Sequence, residues 1–137
     1  MNTPRGIRNN NPLNIRIGNA WLGEVAIPTD KEFEQFTSLR WGLRAGFLLL
    51  KRYINRYHLN SIRLIVSRWA PSSENNTEAY IKRVSDLTGF DADEVIDFDS
   101  KMQMCALVEA MCLVECGCPI DCNEIRKAYE LAKSWKL

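Results

Sequence analysis

The sequence predicts a mainly α protein with a small, irregular β-hairpin region near its N-terminus. From Ser38 onward, apolar residues recur at three- and four-residue spacing, the period of an amphipathic helix. The periodic stretches are preceded by Ser, Asn or Asp and two of them are followed by Gly, the residues that start and stop helices. The stretch before Phe36 has neither feature and is rich in Asn, Pro and Gly.

Taken in order, residues up to about Phe36 read as loop and short strands. Ser38 is an N-cap for a long helix carrying Leu39, Leu43, Phe47, Leu50 and Ile54, which ends near His58. Gly42 and Gly46 sit inside that helix, where each costs about 1 kcal/mol against alanine. Close approach of another backbone explains their presence. Asn60 can cap a second helix with Ile62, Ile65, Val66 and Trp69 on its inner face, stopped by Ala70-Pro71. The loop Pro71 to Asn76 leads into a third, carrying Tyr80, Ile81, Val84 and Leu87 and closed by Gly89. After an acidic connector, Ser100 and Gln103 form a capping box for a fourth helix to about Cys116, with Gly117 as its stop. Asp121 and Glu124 cap a fifth, which holds Ile125, Ala128, Tyr129 and Ala132. With no repeat and no linker, residues 1–137 are expected to form one domain.

Composition narrows the function classes. The 137 residues are 46% hydrophobic and 26% charged, which is ordinary for a globular protein with a real core. A net charge of +1 provides no global field for nucleic acid or acidic lipid, although arginines crowd the first half. Nucleic acid is not expected as a partner, since no binding motif accompanies those arginines. The Met1-Asn-Thr-Pro start lacks the features of a signal peptide, and the longest apolar run, Gly46–Leu50, is too short for a membrane span. The five cysteines all lie in the last third, an odd number that favours free thiols in a reducing compartment. Cys112, Cys116, Cys118 and Cys122 lack paired zinc-ligand spacing, and His58 is remote in sequence, so small buried hydrophobes are expected rather than a metal site.

The densest chemical signal is Arg5-Gly-Ile-Arg-Asn-Asn-Asn-Pro-Leu-Asn-Ile-Arg16, followed by Trp21-Leu-Gly23. Asparagine amides compete for backbone groups and so favour turns over helix interiors. Each amide also offers two donors and an acceptor. Asn9, Asn10, Asn11 and Asn14 therefore serve either to fold a tight loop stiffened by Pro12 or to hold a polar ring such as a sugar, on which Trp21 can stack.

These residues also carry a resemblance. Asn10-Asn11-Pro-Leu-Asn-Ile15 with Trp21-Leu-Gly23 resembles the Asn-Asn-x-Phe-Gly-Ile…Trp-x-Gly signature of bacterial glucosaminidases and lytic transglycosylases. Phe33-Glu-Gln-Phe-Thr-Ser38 is similar to their Phe-x-x-Tyr-x-Ser segment, and Trp69 to Tyr80 to their Tyr-Ala-Thr-Asp-x-x-Tyr segment. More closely, and over nearly the whole chain, the sequence resembles small phage and prophage structural proteins with a lytic, lysozyme-like domain. The resemblance implies a lysozyme-like core and cleavage of peptidoglycan, with no cofactor and no metal. It implies a glycan site that includes Asn10, Asn11, Asn14, Trp21, Asp30, Asn75 and Tyr80. The missing signal peptide and the free cysteines lead us to expect a protein made in the cytoplasm that reaches the wall by release, by export or within a virion, as a monomer alongside other virion or export components.

In one respect the chain departs from those enzymes. Their catalytic glutamate precedes the Asn-Asn segment, whereas only nine residues precede Asn10 and none is acidic. Three carboxylates are the alternatives. Glu115 ends an apolar helix in Met111-Cys-Leu-Val-Glu-Cys-Gly117 and resembles the helix-ending Glu-Ser-Gly of the transglycosylases, moved to the other end of the chain. A carboxyl at such an apolar rim keeps its proton to higher pH and can act as a general acid. Glu74, beside the start of the Thr77 helix, is better suited to an anionic role. Asp30, in Pro-Thr-Asp-Lys, is a turn residue or a ligand-binding one. A transglycosylase needs a single acid/base carboxyl, whereas an ordinary glycosidase needs two. The expected activity is therefore single-carboxylate cleavage of the glycan strand by Glu115 or Glu74. The alternative is a non-catalytic structural or glycan-binding module on the same fold.

Overall fold

The computed structural model describes residues 3–73 and 75–134. Within them the chain is mainly helical: α1 (Arg5–Arg8), α2 (Leu39–Lys51), which runs on into a π-helical turn (Arg52–Arg56), α3 (Ile62–Trp69), α4 (Thr77–Thr88), α5 (Lys101–Cys116) and α6 (Cys122–Ser134).

The start signals act largely as the sequence implies. Ser38 Oγ accepts the Trp41 amide, Asn76 Oδ1 the Ala79 amide and Ser100 Oγ the Gln103 amide. Gly89 and Gly117 end α4 and α5 with φ of 79° and 71°, a left-handed region open to glycine at little cost. Three details differ. The cap of α3 is Ser61 rather than Asn60, whose carbonyl instead accepts the Ile96 amide. Gln103 does not close a capping box, because its side-chain oxygen accepts the Asp97 amide. Glu124 does not complete a box with Asp121 either: it forks with Arg40 of α2, while Asp121 alone accepts the Asn123 amide.

Helix α5 holds the centre. It is apolar on most of its circumference and packs against α4 and α6, with smaller contacts to α1 and α2. Helix α2 lies across α6, and Phe47 meets Tyr129 edge to face at 5.5 Å. The buried Tyr129 hydroxyl donates to the Phe98 carbonyl at 2.8 Å, so its polar end is satisfied inside the core.

The N-terminal region is more ordered than a generic loop, and its described residues form no regular strands. Its antiparallel pairing among the described residues is two single bridges, Arg16 with Phe33 and Glu24 with Phe36. Helix α1 leaves no trace in the sequence pattern, because its four residues are too few to show a period. The asparagine run forms the C-terminal cap of α1. The Asn11 amide donates to the Gly6 carbonyl and the Asn10 amide to the Ile7 carbonyl, with Asn10 at φ 53°. This is a Schellman cap, and asparagine is the residue after glycine that best tolerates its left-handed position.

Gly42 makes this cap fit. A Cβ there would lie 1.8 Å from the Asn10 carbonyl oxygen, so α2 and the asparagine run touch backbone to backbone. Gly46, one turn on, makes room for the Leu13 side chain.

Candidate functional site

Pro12 and Leu13 are the central residues of a turn closed by the Asn14 amide on the Asn11 carbonyl. Asn14 follows with φ 53°. Its Nδ2 donates to both the backbone carbonyl and Oε1 of Glu115, at 3.2 and 3.1 Å. One amide thus satisfies an orphan carbonyl at the end of α5 and holds the carboxylate of the same residue.

A second donor reaches Glu115 from α4. The Tyr80 hydroxyl donates to Oε2 at 2.9 Å. Tyr80 is buried, and its pKa is driven far above that of a free phenol, by desolvation first and then by the Glu115 charge. It therefore stays a hydrogen-bond donor throughout the accessible pH range. Burial pushes the Glu115 carboxyl above its ordinary value, and Asn14, Tyr80, Trp69 and Arg16 act in the opposite sense by favouring its anion.

Glu115 lies in a cleft of about 340 Å³ lined also by Asn14, Arg16, Asn19, Phe33, Tyr53, Trp69 and Asn75. Tyr53 and Trp69 meet edge to face at 5.8 Å on one wall. Phe33 is flanked by two guanidinium groups, Arg5 at 4.6 Å and Arg16 at 5.1 Å from its ring centre. Thr77 Oγ1 donates to the Ala70 carbonyl and so ties together the ends of the loop that carries Asn75. The cleft therefore combines one half-buried carboxyl, three amides and three aromatic rings.

Of the residues singled out from sequence, Asn14, Asn75, Tyr80 and Glu115 come together here. Glu74 lies outside the described residues. The others sit elsewhere. Asn11 is fully buried, donating to the Ile15 and Glu34 carbonyls and accepting the Ile15 amide. Asn10 donates to the Phe36 carbonyl. Asp30 takes a two-pronged bond from Arg5, both contacts at 2.7 Å, a third from Asn9 and two from the Glu32 and Phe33 amides. These partners hold its carboxyl well below the usual range. Trp21 borders a different cavity on the neighbouring face of α2. Arg16, Asn19 and Tyr53 carry no sequence signal that marks them as cleft residues, whereas Trp69 reads both as a helix inner-face residue and, through the resemblance of the Trp69–Tyr80 segment, as cleft wall. An aromatic on a helix face signals core and cleft wall equally well.

Among the described residues, no group of three or more His, Cys, Asp or Glu side chains is gathered to hold a metal. Of the four cysteines expected to be small buried hydrophobes, Cys112 is buried, Cys116 and Cys118 are half-buried and Cys122 is exposed, and the Cys116 thiol turns back onto the Cys112 carbonyl.

No protein-family model matches the chain. Protein P5 of Pseudoalteromonas phage PM2 is 40% identical over 131 residues, covering 92% of this chain and 80% of the phage protein. The chain belongs to the Protein P5 family. The uncovered share is too small to reach in from either end as far as Asn14 or Glu115, so the whole cleft falls within the stretch shared with Protein P5. Like that relative, this is a phage-type protein, and none of its described helices is long and apolar enough to cross a membrane.

Proposed function

We propose that this chain cleaves the glycan strands of peptidoglycan on a lysozyme-like helical core, with Glu115 as the single general acid/base. The observation that carries the proposal is the half-buried Glu115 carboxyl, gripped by Tyr80 and Asn14 in a cleft of amides and aromatic rings. Aromatic faces and side-chain amides suit sugar rings and their hydroxyls.

The environment of Glu115 suits both halves of a transglycosylase cycle. Burial shifts the Glu115 pKa upward and so favours the protonated carboxyl, the form that gives its proton to the glycosidic oxygen as the bond to C1 breaks. The new carboxylate is then met by Asn14, Tyr80, Trp69 and Arg16, which all favour the anion. It stabilises the cation-like sugar and takes the proton from the sugar's own C6 hydroxyl, as that oxygen bonds to C1. The product is an anhydro end, and Glu115 is again protonated.

In this account Asn14, Asn75 and Tyr80 belong to the working site. Asn10, Asn11 and Asp30 shape the loop that presents Asn14. Glu74, adjacent in sequence to Asn75, is the second candidate carboxylate. The protein would reach its substrate by release, by export or as part of a virion.

A wall-clearing assay tests this. Glu115→Gln is expected to reduce clearing at least ~100-fold, the usual worth of a general acid, while Glu74→Gln retains it. Full activity in Glu115→Gln would remove Glu115 from the chemistry. A second reading, a non-catalytic glycan-binding or virion module, is favoured by the same two hydrogen bonds, since they also tie α5 to α4 and the asparagine loop. It is distinguished by sacculus binding without release of any fragment.

A further inference from the structure

The cavity beside Trp21 has a composition unlike that of the Glu115 cleft. Its volume is about 400 Å³, and its lining combines Trp21, Leu22 and Leu48 with Arg44, Lys51, Arg52 and Arg56. Among the described residues, four cations and no carboxylate thus surround one partly apolar space. The helical period brings them there: Arg44, Leu48, Lys51 and Arg52 recur at three- and four-residue spacing, and the π-helical turn carries the row on to Asn55 and Arg56. Single π turns are frequent at functional sites. Among the described residues, Lys51, Arg52 and Arg56 form no salt bridge, whereas Arg5, Arg16, Arg40 and Arg63 each have an acidic partner. Arg44 is 3% exposed and lies over the Trp41 ring at 5.7 Å, and desolvation lowers its pKa. The Trp21 indole N–H is buried with no hydrogen-bond partner among the described residues.

We propose that this cavity binds an organic anion, a phosphate or carboxylate head on an apolar body, with the head on Arg52, Arg56 and Lys51 and the body against Trp21, Leu22 and Leu48. Guanidinium groups match the oxygens of such heads in paired hydrogen bonds. A cavity of this size takes a short chain or a ring, and apolar walls with a few convergent polar groups are the usual make-up of a small-molecule site. The site is separate from the Glu115 chemistry and does not depend on it.

Octyl phosphate is the probe, with octyl glucoside as the neutral-head control and inorganic phosphate as the chainless control. The indole N–H signals of the ¹⁵N-labelled protein are followed, with that of Trp21 assigned through Trp21→Phe. Octyl phosphate is expected to move the Trp21 signal saturably, at concentrations at least tenfold below those at which either control does so. Arg52→Gln with Arg56→Gln is expected to weaken the octyl phosphate response at least tenfold while the melting temperature holds. Arg56→Gln alone, at an exposed position, gives a smaller loss and covers the case in which the double variant fails to fold. An unmoved Trp21 signal, or an equal response to octyl glucoside or to inorganic phosphate, would overturn the assignment. Co-sedimentation with phosphatidylglycerol but not phosphatidylcholine vesicles would place the natural anion in a lipid headgroup. Retained octyl phosphate binding without co-sedimentation would place it on a soluble molecule.

Discussion

Tyr80 and Glu115, 35 residues apart in sequence and on different helices, share a hydrogen bond of 2.9 Å in which the phenol donates to the carboxylate. This bond favours the anion, whereas the burial that surrounds it favours the acid. The balance between the two sets when Glu115 carries its proton, and it can be altered at Tyr80 without touching the carboxyl. Tyr80→Phe is expected to raise the Glu115 pKa further, moving the alkaline limb of kcat to higher pH and lowering kcat while KM changes little. Loss of the bond costs about 1 kcal/mol of stability. A pH–rate profile with an unmoved alkaline limb would separate Tyr80 from the titration.

Glu115 also makes stability depend on pH. Its folded pKa lies above the unfolded value of 4.5, so the folded state holds the extra proton. Its contribution is fully present below the unfolded value and is lost as pH rises through the folded one. Melting temperatures measured upward from pH 4 are therefore expected to fall across that window. Glu115→Gln, which cannot ionise, is expected to lack that part of the fall and to match or exceed the wild type at neutral pH while being inactive. Parallel melting curves for the two proteins at every pH would contradict this.

Asp30 carries the opposite sign. Arg5 and the Phe33, Glu32 and Asn9 donors depress its pKa, so the stability it contributes is present above the unfolded value of 3.8 and is lost as pH falls through the folded one. Asp30→Asn is expected to lower the melting temperature at pH 7, and to differ less from the wild type in strong acid. Wall clearing should decline only to the extent that the loop presenting Asn14 is loosened. Complete loss of clearing in a variant that stays folded would return Asp30 to the glycan site.

Gly42→Ala tests how the asparagine run is seated. The added methyl meets the Asn10 carbonyl oxygen at 1.8 Å, so α2 or the cap of α1 must shift. A loss of about 1–3 kcal/mol is expected, the usual cost of overpacking. Activity should fall as well, because Asn14 follows directly from that cap. Thermal melting and wall clearing of the same preparation check both effects.

These residues also mark what the sequence reveals and what it hides. Ser38, Ser100, Gly89 and Gly117 act through bonds to residues a few positions away, so their signals are local and legible. Glu115 stands out as a carboxyl ending an apolar helix, and Tyr80 as an aromatic at the start of another. Their meeting with Asn14 is a contact across 101 residues, which no local pattern encodes. The asparagine run shows the converse. Its residue types imply either a turn or a ligand site, and only tertiary context divides them, giving Asn10 and Asn11 to the backbone and Asn14 to the cleft. The π-helical turn was hidden because Arg52–Arg56 continues the helical spacing of α2 without a break.

The most direct test of the central claim is mass spectrometry of purified sacculi incubated with the wild-type protein and with Glu115→Gln. The account predicts anhydro-muropeptides from the wild type and none from the variant. Reducing ends would mean a hydrolase and free amines a peptidase. No product from the wild type, or the same products from Glu115→Gln, would contradict a glycan-cleaving role for Glu115.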